Sequence, residues 1–477
     1  MSTAIVWFRR DFRLFDNPAL DVACAAYEQV LPVYIHAQDE AAPWQPGGAS
    51  RWWLHHSLKA LDESLRARGS QLLILQGDTL AQLRRLIAAT GASAVHWNRL
   101  YEPARIARDK QIKEALCSDG IDAQSHNGAL LFEPWTLKTG AGDPYRVFTP
   151  FWRNASAQLP AAAPLPAPEH IESAQRSVTG MPPEALNLLP RIPWDSGFYA
   201  QWQPGEAGAL RRFGLFCDDA MTGYKSERDL PALNGTSALS PHLHFGEISP
   251  QQIVRRVRAV MAQDTQPGAM ASGEHFIREV GWREFAHHLL YHYPKTPDTP
   301  LYVEKYGRFP WRAHADYIGD LEAWQQGRTG IPIVDAGMRQ LRHTGWMHNR
   351  VRMIAGSLLT KNLLIPWQEG AHWFWDTLVD ANLANNTLGW QWIAGCGADA
   401  APYYRIFNPV LQSAKFDEQG LYLRRWLPEL RNIPLDDLHA PWENPAVLKG
   451  TGYPMPIVDL AASRQRALGA YETIKSG

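Results

Sequence analysis

Cysteine is scarce in this chain, and the sequence signals of disulfides, zinc sites and membrane spans are missing. The 477 residues include four cysteines, none of them in a Cys-x-x-Cys pair: Cys24, Cys117, Cys217 and Cys396. Their spacing indicates reduced thiols and excludes a disulfide framework or a thiolate zinc site. No apolar run approaches the ~20 residues that span a bilayer, and no charged leader precedes the first apolar run at residues 5–8. We therefore predict a cytoplasmic protein without a membrane anchor or a metal site.

Charge of one sign is also lacking, because 47 Lys and Arg stand against 48 Asp and Glu, for a net charge of -1. Domains that bind nucleic acid are usually basic. If this chain binds nucleic acid, it must do so through a local patch. At 477 residues the chain is too long for one small core, so two domains are expected.

The first part of the chain alternates short β-rich runs with helical patterns. The helical patterns cover residues 50–68 and 80–89, and the candidate strands are residues 5–8, 31–35, 72–75 and 94–97. This alternation predicts an α/β domain with a Rossmann-like parallel sheet. No Gly-x-Gly-x-x-Gly follows the first strand and no Walker A sequence occurs, so two common phosphate-binding interpretations lose support.

A proline-rich stretch at residues 155–194 separates this part from a helical remainder. Proline at this density resists regular structure and predicts a connector that runs over the surface. We predict an α/β domain over residues 1–135, a linker over 136–200 and an all-helical domain over 201–477. The clearest candidate helices of that domain are residues 253–261, 274–290, 333–342 and 346–364.

Residues 378–392 combine polar side chains with two tryptophans, Trp390 and Trp392. The polar residues are Asp380, Asn382, Asn385 and Asn386. A core would not bury so many polar groups without partners, and a surface loop would not carry two indoles. A flat, polar, partly buried ligand beside aromatic rings satisfies both conditions, and a flavin is such a ligand.

Three further clusters can carry chemistry. Tyr224, Arg228 and the loop 235–241 (Gly-Thr-Ser-Ala-Leu-Ser-Pro) form either a phosphate cradle or an ordinary helix-capping loop. Glu279 and Trp282 share a helix face. They can stack on and hydrogen-bond a flat heterocycle, or form a surface acid beside a packing indole.

The third cluster, residues 345–353, places Asn349, Arg352 and Met353 near one helical face, with Arg350 free to meet a phosphate. The alternative is a solvated arginine face. Two histidine pairs have spacing that can hold a metal, but neither has a third ligand nearby. We interpret both as structural. They are His288 with His292 and His242 with His244.

Taken together, these motifs resemble the DNA photolyase and cryptochrome family, over nearly the whole chain. The motifs are residues 6–17 (Val-Trp-Phe-Arg-Arg-Asp-Phe-Arg-Leu-Phe-Asp-Asn), 235–240, 282–285 (Trp-Arg-Glu-Phe), 345–350 (Gly-Trp-Met-His-Asn-Arg), 386–392 (Asn-Thr-Leu-Gly-Trp-Gln-Trp) and 405–409 (Arg-Ile-Phe-Asn-Pro). The resemblance implies an α/β antenna domain joined by a long linker to an all-α domain that binds FAD. Residues 240–250 look like those of a bacterial class I or class III enzyme.

The resemblance also assigns residues to the cofactor. Arg352 and Asp380 resemble the ion pair beside the flavin ring, and Asn386 resembles the residue that faces flavin N5. Asn382 stands where the family usually has an acid, which predicts a higher flavin potential than with Asp. The residues that resemble those holding the FAD phosphates and ribityl chain are Tyr224, Thr236, Ser237, Ala238, Leu239 and Ser240.

For the substrate, the resemblance favours DNA that contains cyclobutane pyrimidine dimers. Asn349 stands where (6-4) photolyases typically carry a second histidine. Plant cryptochromes typically carry Asp at the two positions that Asn386 and Asn349 occupy here. The positions that match contacts to the damaged dinucleotide are Glu279, Trp282, Asn349, Met353 and Trp392. Those that match phosphate contacts are Arg228, Arg350 and Arg405, and Arg283 is placed with the DNA-contacting residues.

Other expectations follow from the same resemblance. Trp390, Trp367 and Trp311 match an electron chain from the surface to the flavin, against the alternative that each is core packing. We expect a second, antenna chromophore, a methenyltetrahydrofolate rather than an 8-hydroxy-deazaflavin. We also expect a monomer that associates with the nucleoid of a bacterium through DNA. A cryptochrome-type photoreceptor with the same FAD site, and (6-4) photoproduct repair, stay open as alternatives.

Overall fold

The N-terminal part is built on a sheet of five parallel strands in the order β3-β2-β1-β4-β5. The computed structural model describes residues 2–37, 42–174, 178–264, 266–400 and 404–475. The strands are β1 Thr3–Phe8, β2 Gln29–His36, β3 Leu73–Gln76, β4 Ala94–Asn98 and β5 Asp122–His126. The four predicted strands are confirmed. The fifth was missed because it is an edge strand of sequence Asp-Ala-Gln-Ser-His in which only Ala123 is buried.

Helices cover both faces of this sheet, as parallel strands require. They are α1 Pro18–Ala26, α2 Gly48–Arg66, α3 Thr79–Thr90 and α4 Pro103–Ser118. Helix α2 forms because Trp53, Leu54, Leu58 and Leu61 recur on one buried face. The helix begins two residues before the predicted start at residue 50, and its N-cap is Gly47.

Helix α5 (Phe148–Ser156) lies inside the predicted linker 136–200, so that linker is not irregular throughout. Beyond this helix, the described residues before Phe198 hold only one short helical turn, Pro183–Leu186. Backbone hydrogen bonds tie this stretch to the first part of the chain, including Val30 N–H to Glu172 and Met181 N–H to Ile74. The domain boundaries themselves stay a prediction.

The remainder is helical, and no strand occurs among the described residues after residue 197. Its helices are α6 Phe198–Gln201, α7 Glu206–Leu215, α8 Tyr224–Glu227, α9 Ser240–His244, α10 Pro250–Gln263, α11 Ala269–His292, α12 Val303–Tyr306, α13 His314–Gln325, α14 Pro332–Thr344, α15 Asn349–Ser357, α16 Trp367–Thr377, α17 Leu383–Ala394, α18 Pro409–Phe416, α19 Leu421–Trp426, α20 Leu435–Leu438, α21 Pro445–Leu448 and α22 Leu460–Lys475. None of the helices described is long and apolar enough to cross a membrane.

The predicted helix 346–364 is shorter than expected. It begins at Asn349, because the His348 side chain accepts a hydrogen bond from the Arg350 N–H and caps the helix. Its last turn, Leu358–Asn362, is π-helical. Segments of this kind frequently occur at functional sites.

A buried arginine holds the two parts of the chain together. Arg13, in the loop after β1, is 1% exposed and donates to the backbone carbonyls of Asp16, Gly128 (2.7 Å) and Gly246 (2.9 Å). Gly246 has a φ of +62°, and a Cβ there would lie 2.1 Å from the Arg10 carbonyl oxygen. Only glycine allows this close approach of the two backbones.

We predict that Arg13→Met destabilises the protein by about 3 kcal/mol, because three buried carbonyls lose their donor. Urea unfolding followed by circular dichroism measures the change. The matched control is Arg66→Met, whose guanidinium is 61% exposed and pairs with Asp62 on the surface. Equal midpoints for the two variants would contradict the role assigned to Arg13.

Candidate functional site

A buried carboxylate, Asp380, joins three segments of the helical part. Its side chain is 4% exposed. Arg352 Nη2 donates to both carboxylate oxygens, at 3.2 and 2.9 Å, and Ser240 Oγ donates to Oδ2 at 2.6 Å. Arg352 Nε donates to the Met347 carbonyl at 2.7 Å. The predicted ion pair is therefore present, and it connects the loop 235–240, helix α15 and the approach to helix α17.

The loop 235–240 is shaped to receive an anion. Ala238 has a φ of +48°, a left-handed conformation that is uncommon outside glycine. Within the described residues, no backbone or side-chain acceptor meets the N–H groups of Thr236, Ser237 and Ala238. Successive free N–H groups beside hydroxyls form a nest that binds phosphate. This favours the phosphate-cradle interpretation over a loop that only caps a helix.

The start of helix α17 presents amides. Asn382 caps the helix, because its Oδ1 accepts from the Asn385 N–H at 3.1 Å, while its Nδ2 lies 3.4 Å from His287 Nε2. Its amide oxygen is thus already engaged within the protein. Asn386 Nδ2 donates to the Ala371 carbonyl at 3.0 Å, so its own amide oxygen is the group left to meet a ligand.

Charged residues from three elements lie together in a group that we call the rim: Arg228, Asp229, Glu279 and Arg350. Arg228 pairs with the Glu279 carboxylate and lies 5.4 Å from the centre of the buried Tyr224 ring. Arg350 Nη2 donates to Asp229 Oδ2 at 2.7 Å. The predicted clusters around Arg228, Glu279 and Arg350 therefore meet in space. Asp229 was not predicted, although its position directly after Arg228 was a usable signal.

Trp282 lies against an aromatic partner that the sequence did not reveal. Its ring stacks on Phe148, the first residue of α5, with centroids 3.7 Å apart and an interplanar angle of 9°. One indole face is thus covered. Asn349 is exposed at the start of α15, and Met353 is half-buried one turn further on.

Arg283 does not reach the rim. It is 9% exposed, and its Nη1 donates to the Ala129 carbonyl at 2.9 Å and to Glu284 at 3.3 Å. Burial raises the pKa of Glu284 to about 7, although the adjacent Arg283 charge opposes that shift. The pair ties α11 to residues 129–132, so the predicted DNA contact of Arg283 is not supported by its position.

Trp392 and Arg405 line one small cavity of about 20 Å³. Arg405 is exposed, and its guanidinium lies 4.7 Å from the centre of the Phe407 ring. The structure thus places both side chains together, at the end of α17 opposite Asn382.

The three predicted electron-chain tryptophans belong to one hydrophobic cluster. Trp390 and Trp367 are 1% and 2% exposed, and Trp311 is partly exposed. Trp390 also packs edge-on against Phe374 at 5.0 Å. A Cβ at Gly370 would lie 2.0 Å from its ring, so Gly370 gives the indole its space. Two of these indoles are buried and Trp311 reaches the surface. This arrangement is compatible with an electron path to the surface and equally with simple core packing.

His288 and His292, which were predicted to be a structural pair, share one hydrogen-bonding partner. His288 Nδ1 and His292 Nε2 each lie 3.0 Å from the Pro134 carbonyl oxygen. His242 Nδ1 lies 2.5 Å from Glu247 Oε2. Among the residues that the structure describes, no group of three or more His, Cys, Asp or Glu side chains could hold a metal ion.

The fold and this site define a two-part flavoprotein architecture, and comparison with known families identifies it. The family model for DNA photolyase matches residues 4–169, and the model for the FAD binding domain of DNA photolyase matches residues 276–473. The chain belongs to the DNA photolyase and cryptochrome family, and its helical part is an FAD-binding domain.

Individual relatives cover almost the whole chain. A deoxyribodipyrimidine photo-lyase of Agrobacterium fabrum is 45% identical over 99% of this chain and 98% of its own length. Cryptochrome-2 of Arabidopsis thaliana is 41% identical over 97% of this chain and 77% of its own. The crystal structure of a class III photolyase from Agrobacterium tumefaciens superimposes with a TM-score of 0.94 at 44% identity, covering 100% and 98% of the two chains.

The residues present fit FAD. The free N–H groups of the loop 235–240 suit its phosphates, and the amide oxygen of Asn386 and the guanidinium of Arg352 suit polar atoms of a flavin ring. Asp380 binds Ser240 of this loop and Arg352 of α15, and so holds these two segments together.

We predict that Asp380→Asn lowers FAD affinity by on the order of tenfold. An amide cannot match the Arg352 charge, so α15 and the loop 235–240 lose their common anchor. The ratio of flavin to protein absorbance after gel filtration measures the effect. Asp320→Asn is the control, because it breaks a 2.7 Å pair with Arg312 elsewhere. Full FAD content in the Asp380 variant would contradict the prediction.

Proposed function

We propose that this protein repairs cyclobutane pyrimidine dimers in DNA, using light and reduced FAD. The observation that carries the proposal is the rim in which Arg228 and Arg350 are held by Glu279 and Asp229. A nearly neutral chain thus brings two phosphate-binding arginines together in one place. The relationship to the Agrobacterium photo-lyase supports the same function.

DNA binding is an exchange of partners at this rim. Phosphates replace the carboxylates of Glu279 and Asp229 as acceptors for the two guanidiniums, and Arg405 adds a third phosphate contact. Each contact releases counterions, so affinity falls steeply with salt. The dimer is flipped from the duplex, which costs less at a damaged step because stacking and pairing are already weakened there.

Inside the pocket, the side chains position the dimer and exclude water. Trp282 and Trp392 line its apolar faces, and Trp282 is held flat by Phe148. When bound, reduced FAD supplies a light-driven electron that returns after the cyclobutane bonds split. Asn386 would offer its amide oxygen to flavin N5, and its side chain carries no acidic proton to lose there.

Glu279 hydrogen-bonds a pyrimidine carbonyl as negative charge develops on it. Without DNA, Arg228 donates a hydrogen bond to the Glu279 carboxylate. When a phosphate draws Arg228 away, the Glu279 side chain is released to face the pyrimidine carbonyl. Trp390, Trp367 and Trp311 carry electrons from the surface when the flavin must be reduced again. Asn382 in place of an acid raises the flavin potential.

An antenna chromophore binds where the connector meets both parts of the chain. A cavity of about 890 Å³ lies there, lined by two partly exposed indoles, Trp194 and Trp373, and by Arg51, Arg191 and Arg342. Flat rings suit the indoles, and the carboxylates of a folate suit the arginines. A second cavity, at the carboxyl edge of the sheet, is only about 60 Å³, well below the size of ordinary ligand sites.

The test is repair of a dimer-containing oligonucleotide by purified reduced protein, measured in light and in darkness and as an action spectrum. Light-dependent restoration of thymine supports the proposal, and an active band that is not a flavin band supports the antenna. Bound FAD that undergoes photoreduction without any repair favours a cryptochrome-type photoreceptor. Repair of only (6-4) photoproducts would overturn the substrate assignment.

For Glu279→Gln we predict a lower quantum yield of repair, since the amide is a weaker donor than an acid at the pyrimidine carbonyl. The dissociation constant for dimer DNA should change by less than about threefold, because Arg228 stays free for phosphate. Glu274→Gln, an exposed acid on the same helix, is the control. Collapse of binding with an unchanged yield would refute this role.

For Trp367→Phe we predict slow photoreduction of oxidised FAD and normal repair by enzyme that is reduced beforehand. Phenylalanine keeps the packing but is much harder to oxidise than indole. Flash photolysis measures the photoreduction rate, and Trp426→Phe, a partly buried tryptophan beside the same cluster, is the control. If both variants behave like the wild type, Trp367 serves packing only.

A further inference from the structure

A lysine outside the residues used so far is almost completely buried. Lys361, in the π-helical turn after α15, is 1% exposed. Its Nζ donates to the Ala394 carbonyl at 2.6 Å and lies 3.5 Å from the centre of the Tyr404 ring. In the part of the chain that the structure describes, no carboxylate pairs with it. A buried ammonium without a carboxylate is costly, so its position needs a cause.

Both contacts of Lys361 are places where a cation is favourable. Ala394 is the last residue of α17, where carbonyls lack helical partners and the helix dipole is negative. The face of the Tyr404 ring attracts the same charge. Gly395 ends the helix with a φ of +80°, and a Cβ there would lie 3.4 Å from the ammonium.

These two contacts lie next to Trp392 and Arg405, which are proposed to contact the flipped dimer in its binding site, the lesion pocket. Ala394 follows Trp392 by two residues, and Tyr404 directly precedes Arg405. Lys361, Trp392 and Arg405 line the same cavity of about 20 Å³, which holds no more than about one water. Ser357, at the end of α15, accepts from the Phe407 N–H at 3.2 Å and adds a second tie to this segment.

We propose that Lys361 is a positioning residue for dimer binding: its ammonium clamps the end of α17 to residues 404–407 and so fixes Trp392 and Arg405 at the lesion pocket. The inference rests on the proposed repair function. It adds a requirement that the rim arginines do not explain, because Lys361 is buried and acts through the Ala394 carbonyl and the Tyr404 ring.

The charge on Lys361 is expected to depend on pH. Burial lowers its pKa to about 7, so the ammonium is present below that pH and is lost as the pH rises through it. The titratable and charged groups around it are Cys396, Tyr306, Tyr404 and Arg405, with Tyr471 and Arg466 from α22 behind them. Burial raises the pKa values of Cys396, Tyr306 and Tyr404, which keeps them uncharged near neutrality.

The experiment uses the FAD-containing protein and measures dissociation constants for dimer-containing and undamaged oligonucleotides from about pH 6 to about pH 9. We expect Lys361→Met to weaken dimer binding by on the order of tenfold, clearly more than it weakens binding of undamaged DNA, with FAD content unchanged. Wild-type affinity for the dimer should fall as the pH rises through about 7, and the variant should show no such fall. Lys113→Met, an exposed lysine on α4, controls for loss of charge.

Three outcomes overturn the inference. A Lys361→Met protein that binds the dimer like the wild type removes the clamp, and equal weakening for both DNAs reduces Lys361 to a general structural role. Flat wild-type affinity across the pH range does the same without any variant, which keeps the test valid if Lys361→Met fails to fold. A wild type with no preference for dimer DNA refutes the repair function itself, and that result is distinct from the other three.

Discussion

The site depends on one buried carboxylate, Asp380. A buried acid must have its oxygens satisfied, and here the partners come from Ser240 in a loop and from Arg352 on α15. Those partners fix the loop 235–240, α15 and α17 relative to one another. The proposed cofactor contacts lie on these segments, apart from Tyr224, which the rim arginine Arg228 covers. A single ion pair therefore sets the geometry in which an isoalloxazine and a phosphate chain can both be received.

A second constraint joins the two parts of the chain. Arg13 donates to carbonyls on both sides of the contact, and Glu247, fully buried, binds Trp53 Nε1 at 3.0 Å and His242. Buried polar networks of this kind specify one arrangement because each member is costly to leave unpaired. The large cavity lined by the connector, α2 and α16 likewise has walls from both parts of the chain.

Strong periodicity was a good guide to the fold, and weak local signals were not. The first four strands and the long helices were predicted because their buried faces repeat along the sequence. Strand β5 was not predicted because only Ala123 is buried in it. Helix α15 begins at Asn349 because the His348 side chain caps the helix. In the site, the residue types were predictable from the motifs. The stacking of Trp282 on Phe148, 134 positions earlier in the chain, and the burial of Arg283 were not, since neither leaves a trace in local spacing.

By itself, the sequence determined the family, the division into an α/β part and a helical part, and the kinds of side chains that are proposed to meet the cofactor and the DNA. These follow from local order: motif residues, helical and strand periods, and proline density. Only the tertiary structure decided which charges face each other. Arg228 meets Glu279, Arg350 meets Asp229, and Lys361 reaches Ala394 without a carboxylate. Such pairings depend on distances between segments far apart in the chain, and burial then decides whether each charge is paired, exposed or shifted in pKa.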